Sequence, residues 1–217
     1  MPMSSEEIIE LFPTPLVIDR SIVMDPEEYK FIMDLVSCHD NFKTQNRQMN
    51  LQYQTKDTDI LRHLPKLREQ IINAVKKFND NIILTSDLVL MQSWINLNLP
   101  GSNHPQHVHP NSIVSGIFYI AAEKDSGNIR FWKNFSIGGL SIVDQPKAWG
   151  RYNFLSYYFE PKPNELFLFP GSLMHSVDTN KTTTERVSLS FNTFFSGSFG
   201  SEEDLSYIDL DKVKGKT

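Results

Sequence analysis

At 217 residues, 40% of them hydrophobic and 12% aromatic, the chain is long enough to form one globular domain with a sizeable core. A formal net charge of −5 gives no overall attraction for nucleic acid or for an anionic membrane, and a single cysteine excludes an intramolecular disulfide and a thiolate metal cluster. We therefore expect a cytoplasmic protein without a membrane partner, for which nucleic acid is a disfavoured partner.

The first part of the chain predicts two helices joined by a loop. Asp25 is typical of an N-cap, Pro26 of a first helical position, and Glu28 of the third position in a capping box. The polar residues 39–59 predict a loop, and residues 65–79 predict a second helix. The apolar positions at helical spacing are Tyr29, Ile32, Met33 and Val36 in the first helix and Leu67, Ile71, Val75 and Phe78 in the second.

Short β-type runs separated by turn residues begin at Ile82. The predicted strands are residues 88–97, 113–120, 128–132, 154–159, 165–169 and 186–194. The pattern predicts a mainly β protein with N-terminal helices, folded as one domain. Within residues 1–217, we expect residues 1–81 to form a helical N-terminal layer, residues 82–195 a β-core of the sandwich or barrel type and residues 196–217 a peripheral tail.

Residues 96–110, "NLNLPGSNHPQHVHP", contain three of the six histidines. Side chains two apart in a strand point to the same side, so His107 and His109 can aim at one divalent metal ion. An H-x-H pair is a weak signal alone, because surface histidines in a Pro-rich loop give the same pattern. Because Pro105 follows His104, we expect His104 to lie in a loop and to contact solvent or substrate. We expect His39 and His63 to lie on the surface.

A third histidine and an arginine follow in the last strands. The segment "NELFLFPGSLMHSV" presents His175 after an apolar strand and a Pro-Gly turn, a pattern that a structural histidine also fits. In "RVSLSFNTF", Arg186 and Ser188 share a face with Ser190 and Asn192. An inward-facing arginine is costly to bury unless it meets an anion, and its guanidinium suits a carboxylate.

The motifs "HVHPNSIVSGIFYI" and "LFLFPGSLMHSVDTN...RVSLSFN" resemble those of the non-haem iron(II), 2-oxoglutarate-dependent dioxygenases. The likeness is greatest to a branch of small proteins related to prolyl hydroxylases, which the opening "LFPTPL" also resembles. The resemblance implies a double-stranded β-helix, the cupin-like jelly roll. It also implies Fe(II) bound by His107, His109 and His175, and 2-oxoglutarate bound through its C5 carboxylate by Arg186 and Ser188. The substrate would be hydroxylated as 2-oxoglutarate becomes succinate and carbon dioxide.

One position departs from the family pattern. His109 stands where the family has an aspartate or glutamate, so three imidazoles replace two imidazoles and one acid and the site is one charge unit more positive. The closest branch shares this H-x-H pattern. Asp178, three residues beyond His175, is a less favoured substitute ligand.

Related enzymes also contact 2-oxoglutarate or substrate from the strand before the motif, which makes Asn96 or Asn98 a candidate, with Tyr119 as a further carboxylate contact. Ordinary strand amides and a core tyrosine are the structural alternatives. We expect no catalytic residue beyond the metal ligands. The aromatic, Gly-rich segment 132–154 predicts a long loop that serves as a lid or a binding surface, or merely as a connection.

Two other functions stay open from sequence. A cupin-like three-histidine enzyme would use its metal without 2-oxoglutarate, and a non-catalytic jelly-roll module would keep the histidines as structural residues. The sequence does not identify the substrate, which is a small molecule or a protein side chain, and it leaves homo-oligomer formation open.

Overall fold

The computed structural model describes residues 13–44, 52–83, 87–133, 154–203 and 205–213. The described strands are β1 Val17–Asp19, β2 Phe42–Thr44, β3 Gln52–Thr55, β4 Leu88–Asn98, β5 His104–His107, β6 Val114–Ala121, β7 Ile129–Trp132, β8 Ser156–Phe159, β9 Leu166–Pro170, β10 His175–Val177, β11 Arg186–Phe195, β12 Ser198–Phe199 and β13 Ile208–Asp209. The helices are α1 Pro26–Ser37, α2 Pro65–Phe78 and α3 Leu210–Val213, with 3-10 turns at His39–Asn41 and Ile60–His63 and a π turn at Asn79–Ile83.

Two main antiparallel sheets and the helices form three layers, and β12 and β13 pair in a separate two-stranded sheet. The large sheet has the order β1-β9-β6-β11-β4-β3-β2, and the small sheet has the order β5-β10-β7-β8. On β6, Phe118 packs in one cluster with Ile71 of α2, whereas Tyr119 packs in a second cluster with Phe131 of the small sheet. Successive side chains of a strand point to opposite faces, so β6 contributes apolar side chains to both clusters. The expected mainly β architecture with N-terminal helices is confirmed.

Helix α1 begins where the sequence predicts. The carboxylate of Asp25 accepts hydrogen bonds from the backbone N–H groups of Glu27 at 2.9 Å and Glu28 at 3.3 Å. Ile32 and Val36 are buried as expected, but Tyr29 is 40% exposed. The periodicity therefore identified the helix correctly and placed one edge residue wrongly.

The predicted capping box is wrong because Glu28 caps a different helix. Its Oε1 accepts a hydrogen bond from the backbone N–H of Lys66 at 2.8 Å, and its Oε2 accepts one from Leu67 at 3.0 Å. Leu64 at the N-cap of α2 has no side-chain acceptor. A buried carboxylate from α1 thus satisfies the first N–H groups of α2 and complements the positive end of its dipole.

Most predicted strands match the observed ones to within two residues at either end, and α2 matches its prediction to one residue. The predicted loop over residues 39–59 is wrong in part, because β2 and β3 lie within it and extend the edge of the large sheet. Their sequences, "FKT" and "QYQT", are short and polar, so they carry little of the hydrophobic alternation that marks a strand.

Strands β4 and β11 place polar side chains between the two sheets. They pair antiparallel, with Arg186 opposite Asn98 and Asn192 opposite Gln92. Their alternate residues, among them Ile95 and Leu189, pack on the helical side. One face of this strand pair therefore belongs to the core, and the other lines a cavity. Among the described residues, no helix is both long and apolar enough to cross a membrane.

Candidate active site

Three histidines converge between the sheets. Strand β5 ends at His107, His109 follows two residues later, and β10 begins at His175, which lies opposite His107 in the antiparallel pairing. The ring centroids of His107 and His109 lie 4.2 Å and 5.0 Å from that of His175. One ring nitrogen of each histidine lies within 4.8 Å of those of the other two. This spacing suits a single metal ion bound by three imidazoles.

Backbone carbonyl groups orient two of the three rings. Nδ1 of His107 lies 2.9 Å from the carbonyl oxygen of Pro105, and Nδ1 of His175 lies 2.9 Å from that of Leu173. A carbonyl oxygen only accepts hydrogen bonds, so Nδ1 carries the proton in both rings. Nε2 then holds the lone pair that a metal requires.

A side-chain amide orients the third ring. Nδ1 of His109 lies 2.6 Å from Oδ1 of Asn192, an oxygen that also accepts a hydrogen bond from the Ser115 hydroxyl at 3.0 Å. With Oδ1 as the acceptor, His109 also carries its proton on Nδ1 and offers Nε2. The sequence placed Asn192 on the inward face but did not identify it as the partner of His109.

Burial keeps the imidazoles neutral. It lowers the pKa of His175 to about 3, and the nearby His107 acts in the same direction. Burial also lowers the pKa of His107 and that of His109. Neutral imidazole is the form that binds a metal, so these rings do not have to lose a proton first at pH 7.

His104 lies in strand β5, so its predicted loop position is wrong. Its ring stacks on that of His107, with centroids 4.0 Å apart and planes inclined by 11°, and it lines the same cavity. Burial lowers its pKa to about 3. His39 and His63 are exposed, as the sequence predicts.

Arg186 is buried in the same cavity, with 1% of its surface exposed. Its Nη1 donates to the carbonyl oxygens of Gly127 at 2.8 Å and Ser126 at 3.3 Å, and its Nη2 donates to Oδ1 of Asn98 at 2.8 Å. Within the described part of the chain, no carboxylate forms an ion pair with this guanidinium. A buried cation that has only neutral acceptors is costly unless an anion binds there.

Arg186 and three residues of the same region carry four buried polar atoms that lack a hydrogen-bond partner among the described residues. They are Nε of Arg186, Nδ2 of Asn98, Oγ of Ser188 and the hydroxyl of Tyr119. The guanidinium carbon of Arg186 lies 5.9 Å from the centroid of the Tyr119 ring. Leaving several such groups unpaired is expensive, and the oxygens of a carboxylate would satisfy donors of this kind. The residues therefore fit an anionic ligand at Arg186.

The other two predicted ligand contacts have different surroundings. Asn96 uses its amide internally, since Oδ1 accepts from the Trp94 indole at 3.0 Å and Nδ2 donates to the Ser190 hydroxyl at 2.8 Å. Tyr119 is fully buried, and burial raises its pKa to about 12, so its hydroxyl stays a neutral donor. Of the candidate asparagines, Asn98 is the one that contacts Arg186.

Asp178 does not substitute for the missing acid. Its carboxylate accepts hydrogen bonds from Nη2 and Nε of Arg130 at 2.9 Å and 3.2 Å, and it lies outside the three-histidine group. The expectation that Asp178 serves as a metal ligand in place of the missing acid is therefore wrong. Arg130 on the neighbouring strand β7 already pairs with this carboxylate. Most of the predicted 132–154 loop, residues 134–153, lies outside the described residues.

The comparisons with known proteins agree with this geometry. Residues 92–192 match the family model described as "Putative 2OG-Fe(II) oxygenase". A search of curated protein sequences gives no match.

Many solved structures share the fold at low sequence identity. An oxidoreductase of the 2OG-Fe(II) oxygenase family from Burkholderia pseudomallei is 16% identical over 82% of this chain and 84% of its own, with a TM-score of 0.54. A prolyl-4-hydroxylase from Pseudomonas putida is 14% identical over 85% and 94%, with a TM-score of 0.54. HygX from Streptomyces hygroscopicus, with nickel and 2-oxoglutarate bound, is 13% identical over 90% and 92%, with a TM-score of 0.57.

These similarities confirm the double-stranded β-helix fold that the sequence predicts. The matched segment carries all three converging histidines together with Arg186 and Ser188. The similarity to the 2OG-Fe(II) oxygenase family thus lies in residues 92–192, slightly less than half of the chain.

Proposed function

We propose that this protein is an Fe(II)- and 2-oxoglutarate-dependent dioxygenase that hydroxylates its substrate. The observation that carries the proposal is the buried Arg186, which has no acidic partner among the described residues and lies in one cavity of about 340 Å³ with the three-histidine group. A metal site and an anion site in the same cavity are what this chemistry requires. When bound, iron and 2-oxoglutarate supply the oxidation, in which dioxygen and 2-oxoglutarate become succinate, carbon dioxide and an oxygen atom for the substrate.

The histidines have the role of metal ligands. In His107, His109 and His175 a hydrogen bond holds Nδ1, which leaves Nε2 as the ligand atom, and one ring nitrogen of each lies within 4.8 Å of those of the other two. These bonds fix the ring planes before the metal arrives, which lowers the entropic cost of binding it.

The polar residues beyond the histidines have the role of binding 2-oxoglutarate. Arg186 and Ser188 bind its C5 carboxylate through Nε and Oγ, two donors for which the described part of the chain supplies no acceptor. Asn98 holds Nη2 of the guanidinium in place, and the Tyr119 hydroxyl is a further donor. Apolar neighbours such as Phe169 line the cavity and exclude water from the ligand.

The two rival functions explain less of the site. A cupin-like three-histidine enzyme that does not use 2-oxoglutarate gives no reason for a buried guanidinium that has no acidic partner in the described ranges of the chain. A non-catalytic jelly-roll module gives no reason for three imidazoles that are all protonated on Nδ1 and share one focus. The 2-oxoglutarate-dependent function accounts for both features.

The function is tested by loading the full chain with Fe(II) and 2-oxoglutarate without oxygen and then admitting air. We expect succinate and carbon dioxide in equal amounts, even without a primary substrate, because uncoupled turnover still consumes 2-oxoglutarate. Protein loaded with Zn(II) serves as the control and should give none. Stoichiometric iron binding without any succinate would contradict the proposal and favour the cupin-like alternative.

Further parts of the proposal concern organisation and partners. Residues 1–217 act as one oxygenase domain, although β1, β2 and β3 of the predicted helical layer 1–81 belong to the large sheet. The protein acts in the cytoplasm on a small molecule or a protein side chain. Oligomeric state does not enter the mechanism, because every residue assigned a role comes from one chain.

A further inference from the structure

The polar face of β4 and β11 has two chemically different ends. At one end Arg186 lies opposite Asn98, and at the other Asn192 lies opposite Gln92. Gln92 and Asn192, which we call the amide end, both line the cavity, and Asn192 contacts His109. The proposed function assigns the arginine end to 2-oxoglutarate, so the amide end is left for the primary substrate.

The amide end presents hydrogen-bond donors. Because Oδ1 of Asn192 already accepts two hydrogen bonds, Nδ2 is the group of this side chain that remains, and it donates to no residue in the described part of the chain. Gln92 is exposed, and its amide has no hydrogen bond to a described residue. Two residues after Gln92 on β4, the Trp94 ring lies 6.0 Å from that of His109 at an interplanar angle of 26° and lines the cavity.

The described lining of the cavity carries positive charge and no acidic side chain. The titratable groups among its described lining residues are Arg186 and four histidines, and no aspartate or glutamate is among them. The backbone of Gly127 lies close to both Asp178 and Arg186. The Asp178 carboxylate, however, is paired with Arg130. A divalent metal on three neutral imidazoles, the 2-oxoglutarate dianion and the Arg186 guanidinium together leave a unit positive charge. An acid at the position of His109 would cancel that charge.

We propose that the primary substrate carries an anionic group, a carboxylate or a phosphate, which binds at the amide end beside His109. The substrate then supplies the negative charge that the metal ligand set lacks. Asn192 Nδ2 and the Gln92 amide donate to the anion, and the Trp94 ring packs against the organic part. This inference rests on the proposed function and adds a substrate class to it.

Two probes of equal size and shape test the charge requirement. Benzoate and benzamide are both planar, and they differ in charge. Their dissociation constants are measured by calorimetry on the full chain loaded with Fe(II) and 2-oxoglutarate without oxygen, so no turnover is needed. We expect benzoate to bind at least about tenfold more tightly, the effect of one nearby unit charge in a partly buried site. Phenyl phosphate is the third probe, and the tighter of the two anions identifies the group.

Two variants of Gln92 test whether the anion binds at the amide end. Gln92→Glu keeps the size of an exposed side chain and adds a negative charge, so we expect benzoate to bind at least about tenfold more weakly while benzamide changes less than twofold. Gln92→Met removes the donor without adding charge and should weaken benzoate by less than fivefold.

Three outcomes would overturn the inference. They are equal affinity for benzoate and benzamide, no response of benzoate to Gln92→Glu, and competition between benzoate and 2-oxoglutarate, which would place the anion at Arg186. Failure of 2-oxoglutarate to bind the iron-loaded wild type is a different result, since it would contradict the proposed function itself.

Discussion

Arg130 and Arg186 lie on different sheets and have opposite surroundings. Arg130 of the small sheet is half-buried and pairs with Asp178, with Nη2 and Oδ2 2.9 Å apart. Arg186 of the large sheet is buried and meets only neutral oxygens among the described residues. An arginine that already has its carboxylate contributes to the fold, whereas a buried arginine without one indicates a ligand site. The difference lies in the partner and not in the residue type.

The largest expected effect is the loss of 2-oxoglutarate affinity when the Arg186 guanidinium is removed. Arg186→Met should weaken 2-oxoglutarate binding to the iron-loaded protein on the order of 100-fold or more, the usual cost of removing one partner from a buried charge pair. Arg130→Met is the matched control. It should change the dissociation constant less than twofold and lower the free energy of unfolding by roughly 0.2–1 kcal/mol. Both values come from anaerobic calorimetry and urea unfolding, and an equal loss of 2-oxoglutarate affinity in the two variants would remove the distinction.

Gly127 connects the two arginines, so its substitution gives the next largest effect. It has a φ of +100°, and an added Cβ would lie 2.3 Å from the carbonyl oxygen of Asp178 and 3.2 Å from Nη1 of Arg186. We expect Gly127→Ala to lower the free energy of unfolding by about 1–3 kcal/mol. It should also weaken 2-oxoglutarate binding, because the carbonyl group of residue 127 positions Arg186.

Gly197→Ala is the control for backbone strain alone. Gly197 also has a positive φ, of +66°, but an added Cβ there meets nothing within 4 Å. This variant should lose stability while its 2-oxoglutarate affinity stays within twofold of the wild type. Equal 2-oxoglutarate affinity in both glycine variants would show that the Gly127 carbonyl group does not position Arg186.

The smallest effect is a dependence of stability on pH that comes from the histidines. Burial lowers the pKa of His175 from the ordinary 6.5 to about 3 in the folded protein. Between these values the unfolded chain binds more protons than the folded one, so stability rises with pH in this window and falls on acidification. Urea unfolding of the metal-free protein at pH 7 and pH 5 should show the loss. His175→Phe should reduce the slope, and an unchanged slope would exclude this histidine as its source.

Part of the site could be predicted from the sequence, because successive side chains of a strand point to opposite faces. Arg186 and Ser188 are two apart on an apolar strand, so both must lie on the face opposite Val187, and the structure has them there. The convergence of His107 and His109 with His175 required the resemblance to a known family, because spacing along the chain does not determine which strands become neighbours. The assigned ligand roles stay predictions.

Contacts between residues that are far apart along the chain could not be predicted from sequence patterns. Glu28 has the spacing of a capping box, yet it binds the first turn of α2, since helix packing brought those N–H groups within reach. Asp178 was considered as a metal ligand because it is close to His175 in sequence, but the register of β7 and β10 gives it Arg130 instead. Local pattern predicts which face a side chain occupies. It does not predict the partner that another strand supplies.

The most direct test of the account is a crystal structure of the full chain with Fe(II) and 2-oxoglutarate, grown without oxygen, with the metal identified by anomalous scattering. We expect one iron bound by Nε2 of His107, His109 and His175, and a 2-oxoglutarate carboxylate within hydrogen-bond distance of Arg186 and Ser188. Iron bound elsewhere, or 2-oxoglutarate bound without contact to Arg186, would contradict it.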